Sequence, residues 1–187
     1  MDVLQQESDL ASGINFIREG AKVGVINGAI ALALLFGSYY MGLDTFVSVQ
    51  FIERFLPYMI IILIVYGLQL RRRNGGLLAF KEALQFTFVS YVVAAVIIAI
   101  GTYVLFNLVD KDLTRKAFEA SIERSRQLME RMGGDTAVID KEVQRAGGTP
   151  KDTTIGTIFL GTGQSLIFSF MKSLLISLVI RRERRPI

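Results

Sequence analysis

The sequence predicts an all-α integral membrane protein: a bundle of four membrane-spanning helices, with a short extracytoplasmic helical segment between spans three and four. Apolar residues make up 51% of the 187 residues, and the mean hydropathy is +0.44. These apolar residues are concentrated in charge-free runs of about 20 residues, a pattern typical of membrane helices. The densest basic clusters directly follow such runs, where basic residues anchor a helix end against anionic lipid headgroups.

The predicted spans belong to a single membrane domain over residues 1–187 and cover about residues 23–43, 51–70, 77–108 and 155–180. Ser8 or Asp9 is a candidate N-cap for a short helix that continues into the first span. Pro57 falls in the first turns of the second span, where a missing N–H is tolerated or the helix kinks. Gly75 and Gly76 predict a tight turn before the third span.

The segment 110–152 differs in character, because it carries nine basic and nine acidic residues. Apolar residues recur in it at near-helical spacing, namely Phe118, Ile122, Leu128 and Met132. We therefore predict a helix from about Asp112 to Met132, ended by Gly133 and Gly134, and a second short helix over Thr136–Ala146. The apolar stripe is expected to cover either the outer end of the bundle or a partner, and the bundle is favoured.

The short loops predict the orientation. Arg71, Arg72, Arg73 and Lys81 follow the second span, and four arginines against one glutamate follow the fourth. The loop between spans one and two has a single basic residue, Arg54. Because positive charge marks the cytosolic side, we expect both termini to be cytosolic and segment 110–152 to be external.

The composition excludes several classes of chemistry. The chain has no cysteine and no histidine, which removes thiolate nucleophiles, histidine general bases and the usual zinc sites. A site built from carboxylates alone stays open, but we predict no catalytic residue, no metal site and no cofactor. The net charge of +4 and the pI of about 9.5 do not indicate nucleic-acid binding, since the basic clusters lie at the ends of apolar runs.

Polar side chains within the predicted spans are candidates for a functional site, because burying them in lipid is costly. The candidate intramembrane polar cluster is Asn27, Gln69, Glu82, Gln85 and Lys172, all toward the cytosolic side. Within it, Glu82 and Lys172 are expected to pair. The structural alternative is that Lys172 extends along its aliphatic stem to the headgroups and the pair only holds helices together. Gln164 stands apart from this cluster.

Small residues form two helical ridges that let another helix approach closely. The ridge in span one is Gly20, Gly24 and Gly28, and the ridge in span four is Gly161, Ser165, Ser169, Ser173 and Ser177. We assign both ridges to helix packing, and they predict that spans one and four are neighbours.

Three stretches resemble an uncharacterised bacterial family, a domain of unknown function found in small four-span inner-membrane proteins. They are residues 19–24 (EGAKVG), residues 75–84 (GGLLAFKEAL) and the charged helix after Asp110. The resemblance extends from about Ile14 to Arg182, and it implies the four-span topology and a location in the bacterial inner membrane. It implies no reaction, ligand or catalytic residue.

Two functions from different classes fit this sequence. The favoured one is a non-enzymatic accessory or interaction subunit, with the lipid bilayer, a protein partner or further copies of the same chain as its partners. The alternative is a small transporter or channel component with a polar path past Glu82 and Lys172. A membrane enzyme ranks third, because the spans hold no grouped carboxylates.

Overall fold

The computed structural model describes residues 14–55, 58–145, 147 and 154–182. Within these ranges the chain forms seven α-helices: α1 (Phe16–Tyr40), α2 (Leu43–Phe55), α3 (Tyr58–Arg73), α4 (Phe80–Val104), α5 (Leu113–Arg131), α6 (Ala137–Arg145) and α7 (Ile155–Ile180). Helix α4 continues as a π-helical turn over Leu105–Val109. The prediction of an all-α fold is confirmed.

Three of these helices are long and apolar enough to cross a membrane: α1, α4 with its π-helical extension, and α7. Their lengths are 25, 30 and 26 residues, and about 20 residues cross a hydrocarbon core. The chain therefore has the helices of a membrane protein. The predicted second span, residues 51–70, is shared between the end of α2 and most of the 16-residue α3, while Leu56 and Pro57 lie outside the described residues.

The ends of the long helices differ from the predicted spans. Helix α1 begins at Phe16, so the segment before the first span continues into it as predicted, while Ser8 and Asp9 lie outside the described residues. Helix α4 begins at Phe80 rather than Leu77. The reason is that Leu78 forms an isolated antiparallel bridge with Arg182, with backbone N–H···O distances of 2.9 Å in both directions.

The chain divides into two compact units. Unit 1 comprises Met1–Ala31, Pro57–Ile98 and Thr162–Ile187, and unit 2 comprises Leu32–Leu56 and Ala99–Gly161. Unit 1 contains α3 and parts of α1, α4 and α7, whereas unit 2 contains α2, α5, α6 and the other parts of those three helices.

In unit 1 the glycine ridge of α1 lies directly against α4. A methyl group added to Gly20 would lie 2.5 Å from the carbonyl oxygen of Phe86, and one added to Gly24 would lie 2.7 Å from that of Ser90. Gly28 lies against Ile97 in the same way, at 2.9 Å. The contacts advance in the same direction along both helices, so α1 and α4 run parallel.

The prediction that spans one and four pack through their small-residue ridges is corrected by these contacts. The glycines of α1 contact α4, and the buried serines of α7, Ser173 and Ser177, also contact α4, at Thr87. Where they are buried, both ridges therefore pack on α4. Ridges of small residues show that a helix is approached closely, but they do not identify which helix approaches.

Helix α7 also packs on α3 in unit 1, close to the end of both helices. The Ile180 side chain fills the space beside Gly67, and Arg71 Nη1 donates to the Ile180 carbonyl oxygen at 3.2 Å. Helices α3 and α7 thus end together, next to the start of α4. The core between these elements is apolar and includes Leu63, Leu70, Leu78, Ala83, Phe86, Ile176 and Ile180.

In unit 2 the predicted charged helix is confirmed as α5, whose flanking residues are Asp112 and Met132. It packs on α2, and its first residue, Leu113, is buried with Phe46 and Val47. Arg124 also hydrogen-bonds Ser48 of α2. The apolar stripe is only partly used, because Phe118 and Ile122 are half-buried while Leu128 and Met132 are exposed.

The second charged helix is confirmed as α6, and ion pairs form within and next to the charged helices. Arg126 of α5 donates to Asp140 of α6 at 2.5 Å. Lys116 donates to the Asp110 carboxylate at 3.0 and 3.2 Å, and this hydrogen bond raises the pKa of Lys116 above its usual value. Gly133, with a φ of 72°, ends α5 as predicted, because the left-handed region favours glycine.

A substitution in α1 tests the close packing on α4. Gly24→Ala would place its methyl group against Ser90 backbone atoms, which are unable to move aside as a side-chain end would. We expect a loss of about 1–3 kcal/mol in the free energy of unfolding, measured as a lower melting temperature in detergent.

Gly37→Ala in the same helix is the matched control, since nothing lies within 4 Å of an added methyl group there. It should be neutral or stabilising by up to about 1 kcal/mol, because alanine favours helix. Equal melting temperatures for the two variants would contradict the packing of α1 on α4.

Candidate functional site

The five residues of the predicted polar cluster lie in different environments. Asn27 is buried, with 1% of its surface exposed, and Glu82 is half-buried. The remaining three, Gln69, Gln85 and Lys172, are exposed. An exposed side chain on these helices points away from the core of unit 1, so these three do not meet Asn27 in a shared buried site.

Glu82 has a local partner rather than Lys172. Its carboxylate accepts a hydrogen bond from the Ala79 backbone N–H at 2.9 Å, at the first turn of α4. This contact satisfies one of the free N–H groups at a helix start, as a glutamate at the third helical position commonly does. The hydrogen bonds and ion pairs of the described residues include none between Glu82 and Lys172.

A buried carboxylate that the polar-cluster hypothesis did not include lies in α1. Glu19 is 8% exposed, and it accepts a hydrogen bond from Lys22 Nζ at 2.5 Å and another from Tyr66 Oη at 3.0 Å. Tyr66 in turn stacks on Phe86, with ring centroids 6.0 Å apart. This Glu19 network joins α1 to α3 and α4 inside unit 1.

The spacing of residues along α1 could have indicated that Glu19 is buried. Residues on the buried face of α1 recur every three or four positions, which is the period of one helix face, and they include Phe16, Glu19, Val23, Asn27 and Ala31. A glutamate on this face indicates a buried charge with a partner. No pattern along the chain identified the partner, because Tyr66 is 47 residues away.

The serine ridge of α7 is buried only over part of its length. Ser173 and Ser177 are fully buried, Ser169 is half-buried, and Gly161 and Ser165 are exposed.

At the buried end, Thr87 of α4 is the centre of a small polar contact. Its hydroxyl lies 3.1 Å from Ser177 Oγ, 3.0 Å from the carbonyl oxygen of Ala83 and 3.4 Å from that of Ser173, and its single proton is shared among these acceptors. Hydroxyl contacts of this kind hold membrane helices together.

Four side chains of unit 1 have a buried oxygen without a hydrogen-bond partner among the described residues, and three of them lie well inside α1 and α4. The fourth is Asn74, in the turn after α3. Asn27 Oδ1, Ser90 Oγ and Tyr91 Oη are enclosed without a hydrogen-bond partner among the described residues. At about 1.5 Å per residue, each lies roughly 15–17 Å from the start of its helix. An unsatisfied buried polar group costs on the order of 1–3 kcal/mol, so these three side chains are the candidate functional residues.

The described residues contain no group of three or more side chains arranged to hold a metal ion. The single buried carboxylate of unit 1, among the residues whose burial is described, is that of Glu19, and it is already bonded to Lys22 and Tyr66. Asn27, Ser90 and Tyr91 offer amide and hydroxyl groups, which bind and orient polar molecules.

Removing the charge of Glu19 tests the network. Glu19→Gln weakens the bonds to Lys22 and Tyr66, and hydrogen bonds to charged groups contribute about 1.5–3 kcal/mol. We expect a lower melting temperature in detergent, at about 2–4 °C per kcal/mol for a chain of this size.

Glu119→Gln serves as the matched control, because Glu119 pairs with Arg115 at 3.2 Å on the exposed surface of α5. Exposed pairs contribute about 0–1 kcal/mol, so this variant should melt close to the parent. If both variants melt alike, the Glu19 network does not stabilise unit 1.

The chain matches the model of one known protein family. The family model described as "Protein of unknown function (DUF4199)" matches residues 22–182, from α1 to the residue that pairs with Leu78. The resemblance to a family of unknown function is therefore confirmed. Searches of curated proteins and of solved structures found no match. The chain belongs to the DUF4199 family of proteins of unknown function.

Proposed function

We propose that the protein crosses a bacterial inner membrane four times as a helical bundle, with both termini in the cytosol. The contacts within unit 1 support alternating directions. Helices α3 and α7 end together at Arg71 and Ile180, and the chain after α7 pairs with Leu78 just before α4 begins. Helix α1 runs parallel to α4, so α1 and α4 run opposite to α3 and α7.

The distribution of charge supports the proposed orientation. Among the described residues, eight basic side chains lie at or near the end of unit 1 where α1 and α4 start, namely Arg18, Lys22, Arg71, Arg72, Arg73, Lys81, Arg181 and Arg182. Glu19 and Glu82 are the acidic residues described there. Segment 110–152, which contains α5 and α6, carries nine basic and nine acidic residues, a balance that allows it to be external.

Reporter fusions test this topology. Fusions after Arg73 and after Ile187 should show the activity of a cytosolic reporter, and a fusion at Gly134 should show that of an exported reporter. A cytosolic reading at Gly134 would contradict the orientation. If fusions after Gly42 and after Arg73 report the same side of the membrane, the chain does not cross the membrane through α2 and α3.

The proposed role within the membrane is that of a non-enzymatic accessory or interaction subunit. The observation that carries it is Gln164, an exposed amide in the membrane-span candidate α7. It is flanked by the exposed small residues Gly163 and Ser165, and nothing lies within 4 Å of a methyl group added to Gly163. Small residues let a second helix approach, and an amide inside a membrane is stabilised by hydrogen bonds across helices.

An interaction experiment tests this role. We expect the protein, extracted in mild detergent, to co-purify with a stoichiometric membrane protein or with a second, differently tagged copy. Gln164→Leu should weaken that association several-fold without changing the melting temperature, because the side chain is exposed. Gln144→Leu, an exposed glutamine on α6, is the matched control and should leave the association intact.

The same preparation distinguishes the transporter alternative. The buried, unpartnered Asn27, Ser90 and Tyr91 favour a polar path through unit 1 rather than one past Glu82 and exposed Lys172. A single species without a partner that moves ions across liposomes would support this alternative. That result would contradict the subunit role.

A further inference from the structure

Two arginine clusters that are about 110 residues apart in the sequence are joined at one end of unit 1. Arg71 donates to the carbonyl oxygen of Ile180 at 3.2 Å. Leu78 and Arg182 exchange two backbone hydrogen bonds of 2.9 Å. The turn between α3 and α4 is therefore tied to the end of α7, and Lys81 lies one helical turn beyond Leu78.

Among the described residues of unit 1, carboxylates do not neutralise the charge at this end. Two carboxylates of unit 1 are described at this end. That of Glu19 accepts hydrogen bonds from Lys22 and Tyr66, and that of Glu82 accepts one from the Ala79 N–H. Five basic side chains are exposed and make no ion pair within the described residues, namely Arg72, Arg73, Lys81, Arg181 and Arg182. An anion is the ligand that complements such a surface.

The position of these cations identifies the anion. They lie where the apolar helices α3, α4 and α7 begin or end, which is the depth of the lipid headgroups. Arginine binds phosphate with two parallel N–H···O bonds, and lysine adds a compact charge. The backbone pairing of Leu78 with Arg182 holds Lys81 and the arginines near one another before any lipid binds, which lowers the entropic cost of binding.

We propose that the α3–α4 turn and the end of α7 form a binding site for the headgroup phosphate of an anionic phospholipid, with Lys81, Arg181 and Arg182 as its principal cations. Arg71 takes a positioning role, because its bond to Ile180 holds the two segments together. Free phosphate carries the same chemistry but lacks the acyl chains that would lie along the apolar surface of α7. This proposal does not depend on the subunit role or on which side of the membrane the site faces.

The test uses the full-length protein in a neutral detergent, with the melting temperature followed as lipid is added. The probes are phosphatidylglycerol, phosphatidylcholine and inorganic phosphate at equal phosphate concentration. We expect phosphatidylglycerol to raise the melting temperature, with an effect that weakens as salt rises. Phosphatidylcholine and inorganic phosphate should produce little change.

The double variant Arg181→Gln/Arg182→Gln removes two exposed cations without touching the core. Each basic residue near a membrane surface contributes enough to change apparent affinity about fivefold, so the variant should need on the order of 25-fold more phosphatidylglycerol for the same shift. Arg131→Gln/Lys141→Gln is the control, because both side chains are exposed on α5 and α6 and the charge change is equal.

Three outcomes would overturn the proposal. The first is an equal shift with phosphatidylcholine, which would mean that lipid chains alone stabilise the protein. The second is an equal shift with inorganic phosphate, which would make the ligand a free anion. The third is the loss of any difference between the two variants. An unchanged phosphatidylglycerol response in Arg181→Gln/Arg182→Gln would mean that these cations do not bind the headgroup. An equal loss in the control variant would mean that the effect is one of net charge.

Discussion

The close approach of α1 to α4 is the constraint on which unit 1 depends. Gly20 and Gly24 bring the α1 backbone so near to α4 that a methyl group would contact main-chain atoms. Few attractive forces act between helices in lipid beyond close packing and hydrogen bonds, so the distance between backbones decides how much packing energy is gained. The parallel register of the two helices then places Glu19 within reach of Tyr66, which stacks on Phe86 of α4.

The buried polar groups described in unit 1 fall into two classes, those with a hydrogen-bond partner and those without one. Glu19 and Thr87 are buried and bonded, and such groups hold helices in one arrangement. Asn27, Ser90 and Tyr91 are buried without partners, which lowers stability unless another molecule satisfies them. Apolar residues at these three positions would make the protein more stable, so the polar residues there are candidates for a functional role.

The basic end of unit 1 is a product of the fold as well as of composition. The sequence places each arginine cluster after an apolar run, and this pattern applies to each helix by itself. The contacts of Arg71 with Ile180 and of Leu78 with Arg182 bring the clusters together. Two separate anchors thereby become one surface with a high density of positive charge, where a single phosphate is able to meet several cations.

The amino-acid sequence by itself determined the all-α class, the apolar runs that became α1, α4 and α7, and the charged helices α5 and α6 with their glycine ends. These features are encoded locally, through hydrophobic blocks, near-helical periodicity and the backbone freedom of Gly133. The tertiary structure decided which helices are neighbours. A glycine ridge encodes a short distance but not a partner, and the glycines of α1 lie against α4 rather than against the serine ridge of α7. It also decided that Glu82 bonds its own helix start while Glu19 finds Tyr66, because a side chain's partner depends on helix rotation and on contacts distant in sequence.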